Sequence, residues 1–145
     1  MVRHVLVPID DSDPSGDAID HARAQYDDAT ITLVHVLEAD HPYGPPRSDA
    51  DIGGFEEYVR EFYEDRGDNN GVLERALTLA ADDPNVRTEL RSGSPDRKIV
   101  DLAEESDVDL IVVGSHGRTG ASRVLLGSVA EKIARRSPVP VTIVR

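Results

Sequence analysis

The stretch at residues 110–128, LIVVGSHGRTGASRVLLGS, decides the fold class of this chain. Its first four residues are apolar, as in a buried parallel strand, and the residues from 126 onward have the apolar spacing of an amphipathic helix. Glycine and serine recur between them at Gly114, Gly117, Gly127 and Ser128. Such a loop can hold phosphate, because glycine lets backbone N–H groups approach a ligand and a helix N-terminus favours an anion. A single glycine is as well explained by a turn, so the prediction of an anion site depends on the combined spacing.

Four further strand-like runs alternate with helical patterns along the chain, at Val5–Ile9, Ile31–Val36, Val86–Leu90 and Val141–Val144. This alternation predicts a single α/β domain over residues 1–145, a doubly wound parallel sheet with helices on both faces. Two helix starts are indicated by Asp13-Pro14 and Ser94-Pro95, each with its first residue as the N-cap.

The two outer strands are predicted from their composition. The run at 86–90 alternates apolar and charged residues, which is typical of a sheet edge. The last run, Val141–Val144, is apolar, and as an edge it would need a cover. A symmetric partner strand would supply one and favours a homodimer; the alternative is that the strand is tucked under its own helix.

The composition excludes several classes of protein. The chain has 145 residues and no cysteine, which excludes disulfides, thiolate metal sites and cysteine nucleophiles. It carries 28 acidic and 16 basic residues, a net charge of −12, and only two of the basic residues are lysine. Dense aspartate with little lysine predicts a protein of a salt-loving organism, with an ordinary acidic protein as the alternative, and argues against nucleic-acid binding.

No apolar run approaches the roughly 20 residues of a membrane helix, and the first residues do not resemble a signal peptide. We therefore expect a soluble, cytoplasmic protein that does not enter a membrane.

The sequence leaves the structure of two segments open. The stretch HPYGPP at 41–46 cannot be regular structure and is either a flap over the site or a plain surface connection. The stretch RGDNNG at 66–71 interrupts the long helical pattern from Ile52 to Ala81. The helix either breaks there or continues with poor propensity.

The candidate site lies where the first and fourth strands end, if these strands are neighbours at a reversal of strand order. Asp10 would then face the glycine loop and accept hydrogen bonds from a ribose or a base; its alternative is a turn or cap residue. Val34 and Val36 either wall an adenine pocket or belong to the core. His116 is more readily explained as a local hydrogen-bonding group than as a base, and Arg118 and Arg123 contact either phosphate or solvent. No catalytic residue and no metal ligand is predicted.

The spacing Gly114-x-x-Gly117, nine residues, then Gly127-Ser128 is that of the ATP-binding subgroup of the universal stress protein family. With its opening Val7-Pro8-Ile9-Asp10 and its ending PVPVTIV at 138–144, the chain resembles this subgroup over its whole length. The resemblance implies an adenine nucleotide alpha hydrolase-like sheet of five strands in the order 3-2-1-4-5. It also implies a homodimer through the last strand and one ATP per subunit, with Mg²⁺ held through the phosphates. Pro8, Ile9, Asp10 and Val34 would lie by the adenosine, and Gly114, Gly117, Gly127, Ser128 and Val129 along the ribose and phosphates; His116 and Arg118 complete the candidate set. Ile9 replaces a threonine or serine that the family may show, and Ala130 offers no hydroxyl.

The function that this resemblance implies is an ATP-binding regulatory or stress-response protein. A slow Mg²⁺-dependent ATPase, or a member of the same fold that binds no nucleotide, are the alternatives. A Walker A loop is absent. A flavin- or response-regulator-type sheet fits the element order, but the glycine loop comes too late in the chain for it.

Overall fold

The computed structural model describes residues 1–38, 54–62, 71–115 and 126–145. Its elements are β1 (His4–Pro8), α1 (Asp13–Gln25), β2 (Thr30–Leu37), α2 (Phe55–Phe62), α3 (Val72–Asp82), β3 (Val86–Ser92), α4 (Pro95–Glu105), β4 (Leu110–Gly114), α5 (Ser128–Arg136) and β5 (Val141–Val144). The strands form one sheet in the order β3-β2-β1-β4-β5, and each neighbouring pair is parallel. The predicted fold class and strand order are confirmed.

Helices cover both faces of this sheet, because successive side chains of each strand point to opposite sides. Val5 and Val7 of β1 belong to a cluster with α1, α2 and α3, which we name the first face. Leu6, between them, belongs to a cluster with α4 and α5, the second face. All three side chains are at most 1% exposed, so β1 is buried on both sides at the centre of the molecule.

The outer strands are β3 and β5, as predicted. All four residues of β5 are half-buried within the single chain. Val141 and Ile143 pack against the second-face cluster, whereas Val144 packs against the first. The strand is thus partly covered by its own chain, and the homodimer through Val141–Val144 stays a prediction.

Within the described part of the range 52–81, the long helical pattern contains two helices, α2 and α3. α3 begins at Val72, and the preceding Gly71 has a left-handed backbone with φ of 73°. A left-handed residue cannot lie within a right-handed helix, so α3 does not continue backward through Gly71. The stretch at 63–70 and the stretch at 41–46 lie outside the described residues.

The helix starts correct one prediction. Ser94 precedes α4 as predicted, but the N-cap of α1 is Ser12, not Asp13. Proline is tolerated at the second helical position as well as the first, since neither N–H is needed within the helix. Both cap serines donate to aspartates, Ser12 to Asp10 and Ser94 to Asp96. Among the helices of the described ranges, none is long and apolar enough to cross a membrane.

Candidate functional site

The carboxyl ends of β1 and β4 are neighbours at the point where strand order reverses. The backbone at Ile9, just beyond β1, is held on both sides: its N–H donates to Val34 O at 2.8 Å, and its carbonyl accepts from His35 Nδ1 at 2.9 Å. His35 is buried, and its ring lies tilted by 32° with its centroid 5.5 Å from that of the Tyr58 ring in α2. The end of β1 is therefore fixed by β2 and, through His35, by α2.

Asp10 forms the turn that starts α1. Its Oδ1 accepts from the Ser12 N–H at 3.0 Å, from Ser15 Oγ at 2.9 Å and, at shorter range, from Ser12 Oγ. Its own N–H donates to Ser15 Oγ at 2.9 Å. The alternative role of a turn residue is thus present. Asp10 is only half-buried, and no described residue donates to its Oδ2, which leaves one carboxylate oxygen able to accept from a ligand.

Gly114 ends β4 and packs directly against α1. A Cβ at this position would lie 2.7 Å from both Cβ and O of Pro14. Real side chains do not approach backbone this closely, so only glycine fits here. The identity of Gly114 is therefore required by strand–helix packing, whatever the site binds.

The described residues on the two sides of the stretch 116–125 are hydrogen-bonded to each other. Ser115 donates its N–H to Val144 O at 2.9 Å, and Gly127 donates its N–H to Ser115 O at 2.5 Å. His116, Gly117 and Arg118, with Arg123, lie in the stretch 116–125, outside the described residues. The starts of α1 and α5 thus meet at the dipeptide Gly114–Ser115, one through Pro14 and the other through Gly127.

The first turn of α5 is arranged as an anion site would require. Gly127 is the N-cap with φ of −64° and ψ of 154°, and its carbonyl accepts the first helical bond from Glu131 N–H at 2.9 Å. The N–H groups of Ser128, Val129 and Ala130 therefore have no acceptor within the helix, and the Gly127 cap supplies none. Ser128 is exposed, whereas the Ala130 side chain is 3% exposed in the second-face cluster. A hydroxyl at 130 would point into the core.

The side chains of the remaining candidates, Pro8, Ile9 and Val34, do not converge on one site. Ile9 is buried in the first face and Val34 is fully buried in the second, so their side chains lie on opposite sides of the sheet. Pro8, paired with Val34, is half-buried. Val36, on the same side as Val34, is half-buried and more accessible to a ligand. Val34 is thus a core residue, as one interpretation of the sequence had it.

Sequence reasoning missed a segregation of charge along the chain. Residues 110–145 contain six basic residues and one acidic residue, Glu131, whereas residues 1–109 contain ten basic and 27 acidic residues. The positive segment forms β4, α5 and β5. The signal was available, since charge asymmetry between parts of a sequence can be counted directly.

The exposed basic residues of α5 are Lys132, Arg135 and Arg136. Arg135 pairs with Glu131 at 2.8 Å and Arg136 lies 3.4 Å from Asp96. Burial alone would raise the pKa of Asp96, but the Ser94 hydroxyl, the Asp96 N–H, Lys132 and Arg136 together lower that pKa below its ordinary value. α4 thus presents a carboxylate to α5. Among the described residues, no group of three or more histidine or acidic side chains could hold a metal ion.

The model of the universal stress protein family matches residues 1–145. The chain belongs to this family. Universal stress protein MJ0531 of the archaeon Methanocaldococcus jannaschii is 32% identical over 148 residues, which span all of this chain and 83% of that protein.

Solved structures of the family share the fold. The universal stress protein UspA from Lactobacillus plantarum superposes with a TM-score of 0.66 at 25% identity, covering 99% of this chain and 98% of that one. A universal stress protein in complex with cAMP superposes with a TM-score of 0.65 at 27% identity, covering 99% and 97%.

Proposed function

We propose that this universal stress protein binds ATP at the carboxyl ends of β1 and β4 and acts as a nucleotide-dependent regulatory protein. The observation that carries the proposal is the meeting of the α1 and α5 starts at Gly114–Ser115. A carboxylate oxygen of Asp10 on one side and the first turn of α5 on the other then flank the crevice at the reversal of strand order. That a relative of the same fold is known in complex with cAMP supports an adenine nucleotide as the ligand class.

The two sides would take different parts of the nucleotide. Asp10 Oδ2 can accept from a ribose hydroxyl or an adenine amino group. The N–H groups of Ser128 and Val129, the Ser128 hydroxyl and the helix dipole suit the phosphates. Mg²⁺ would arrive with the phosphates, held mostly by them and by water.

The charge distribution supports an anionic ligand at this place. A chain of net charge −12 repels ATP at long range, but the segment that carries the α5 start has a basic excess. A local field of the opposite sign draws an anion to that part of the surface.

Calorimetric titration with ATP and Mg²⁺ in multimolar KCl, after denaturing one sample to detect co-purified nucleotide, tests the proposal. We expect about one ATP per chain. Gly117→Val should abolish binding by filling the space that the backbone needs, and Ser128→Ala should weaken it about tenfold by removing a hydrogen bond to a charged group. Ser106→Ala removes an exposed hydroxyl just after α4, at the end that leads into β4; it is the matched control and should bind as the parent does.

Parental affinity in Gly117→Val would show that the phosphate loop is wrongly assigned. Absence of both binding and carried nucleotide would favour a member of the fold that binds none. A phosphate-release assay on the same samples distinguishes a switch from a slow ATPase.

We also propose a homodimer through β5. This strand is an outer strand with four half-buried residues, three of them apolar, and a symmetric copy would cover its free edge. Sedimentation should give the mass of two chains. The carbonyls of Pro140 and Val144 accept hydrogen bonds from β4, so by alternation the N–H of Ile143 lies on the free edge. Ile143→Pro removes this donor and should give the mass of one chain.

A further inference from the structure

We propose that Asp11 is a positioning residue for the nucleotide site: by capping α3 it holds the Asp10–Ser12 turn in place and links α3 to nucleotide occupancy. The inference rests on the proposed function for its ligand. The Asp11 cap itself is a contact between two described residues and does not depend on the ligand.

Asp11 reaches across the molecule from the turn that follows β1. Its Oδ1 accepts the Val72 N–H at 3.0 Å, although the two residues are 61 positions apart. Both residues are 6% exposed, so this bond is shielded from solvent. A buried carboxylate next to a half-buried one is costly unless it is hydrogen-bonded, which indicates that the Asp11–Val72 bond has a structural purpose.

α3 needs a cap from elsewhere in the chain. Val72 is its first residue, and the preceding Gly71 has no side chain with which to satisfy the N–H groups of the first turn. A carboxylate is also the favoured group at a helix N-terminus because of the helix dipole. Asp11 supplies both the acceptor and the charge.

The same turn starts α1 and carries the proposed ligand acceptor. Asp10 binds Ser12 and Ser15 of the α1 start, and Asp11, the next residue, binds the α3 start. The two helices are also in contact directly: a Cβ on Gly16 would lie 3.8 Å from Val72 Cγ2, and Arg75 pairs with Asp20. Through this turn, Asp10 is connected to the contact between α1 and α3.

This connection predicts a linkage between α3 and the ligand. If ATP holds Asp10 and so fixes the turn, it must also strengthen the Asp11 cap, and release of the cap must weaken ATP binding by the same factor. We expect Asp11→Ala to weaken ATP affinity at least about fivefold, within the range of such couplings. Asp11→Asn keeps an oxygen that can accept the Val72 N–H and should retain most of the affinity.

The experiment measures two quantities on the full chain: ATP affinity by calorimetry with Mg²⁺, and amide hydrogen exchange at the start of α3 with and without ATP. The variants are Asp11→Ala, Asp11→Asn and Asp13→Asn. Asp13 is exposed in the first turn of α1 and serves as the matched control for loss of one carboxylate. Support requires that ATP slows exchange at Val72 in the parent, that Asp11→Ala loses this effect and the affinity, and that Asp13→Asn loses neither.

The failures are distinguishable. If the parent binds ATP but exchange at Val72 is unchanged by it, the linkage is refuted while the proposed function stands. This comparison uses the parent alone, so it decides the matter even if Asp11→Ala does not fold. If Asp11→Ala binds ATP as the parent does, the positioning role is refuted. If the parent binds no ATP, both proposals fail.

Discussion

Two glycine-to-alanine substitutions, one at the end of β4 against α1 and one within α1, should change stability in opposite directions. In Gly114→Ala the new Cβ would lie 2.7 Å from Cβ and O of Pro14 and 2.8 Å from its carbonyl carbon. These atoms belong to a ring and a backbone in the first turn of α1, and they cannot rotate away as the end of a long side chain can. Overpacking of a core commonly costs about 1–3 kcal/mol, and we expect about 3 kcal/mol here because the backbone itself must shift.

Gly16→Ala adds the same methyl group within α1. Its Cβ would lie 3.8 Å from Val72 Cγ2 and 3.9 Å from a guanidinium nitrogen of Arg75, which is ordinary van der Waals separation. Glycine within a helix is less favourable than alanine by about 0.5–1 kcal/mol. We therefore expect this variant to gain stability by about that amount.

Thermal and urea denaturation without nucleotide, at one fixed KCl concentration, measures both effects. At this chain length about 1 kcal/mol corresponds to roughly 2–4 °C in Tm. Gly114→Ala should melt about 6–12 °C below the parent and Gly16→Ala about 1–4 °C above it. Parental stability in Gly114→Ala would refute the close approach of β4 to α1, and a destabilised Gly16→Ala would refute the description of the α1–α3 contact.

Three further predictions concern charge. The pKa of Asp109 is lowered by hydrogen bonds from the N–H groups of Arg3 and His4. The stabilisation by Asp109 is therefore present above the ordinary pKa of 3.8 and is lost as pH falls through the lowered value. Asp109→Asn should flatten the acid side of the curve of stability against pH. Multimolar KCl should raise the Tm, since it screens the repulsion of a chain of net charge −12, and a Tm that is flat in KCl would contradict the expected salt adaptation. At low salt Lys132→Glu should slow ATP association about two- to fivefold more than Arg23→Glu, an equal charge change on α1; equal rates would contradict a field localised at α5.

The strands were predictable from the sequence because their signal is local. Central parallel strands are buried on both faces and read as continuous apolar runs, as β1, β2 and β4 do, while the charged alternation of β3 marks an outer strand. The sequence did not show whether the helical segment at 52–81 breaks, because helix propensity alone does not determine where a helix ends. The start of α3, just after the left-handed Gly71, is capped by Asp11, which is distant in sequence.

The contacts that shape the candidate site were not predictable for the same reason. In the sequence Asp11 is one of several polar residues that follow β1, and nothing in its neighbours indicates that its partner is the start of α3. Likewise the sequence does not show that Gly114 faces Pro14. Both contacts depend on how α1 lies against the sheet, which single-sequence patterns do not specify.

The two described glycines of the motif, Gly114 and Gly127, have different structural explanations, and neither by itself is evidence for a ligand. Gly114 is explained by packing against Pro14, so its presence would be required in a member of this fold that binds nothing. Gly127 has φ of −64°, which any residue can adopt, so backbone torsion does not explain the glycine at the start of α5. Glycine is among the residues preferred at an N-cap, so the position of Gly127 at the start of α5 explains it without a ligand. The case for a bound anion thus depends on the α5 start and the basic segment around it, rather than on how many glycines the motif contains.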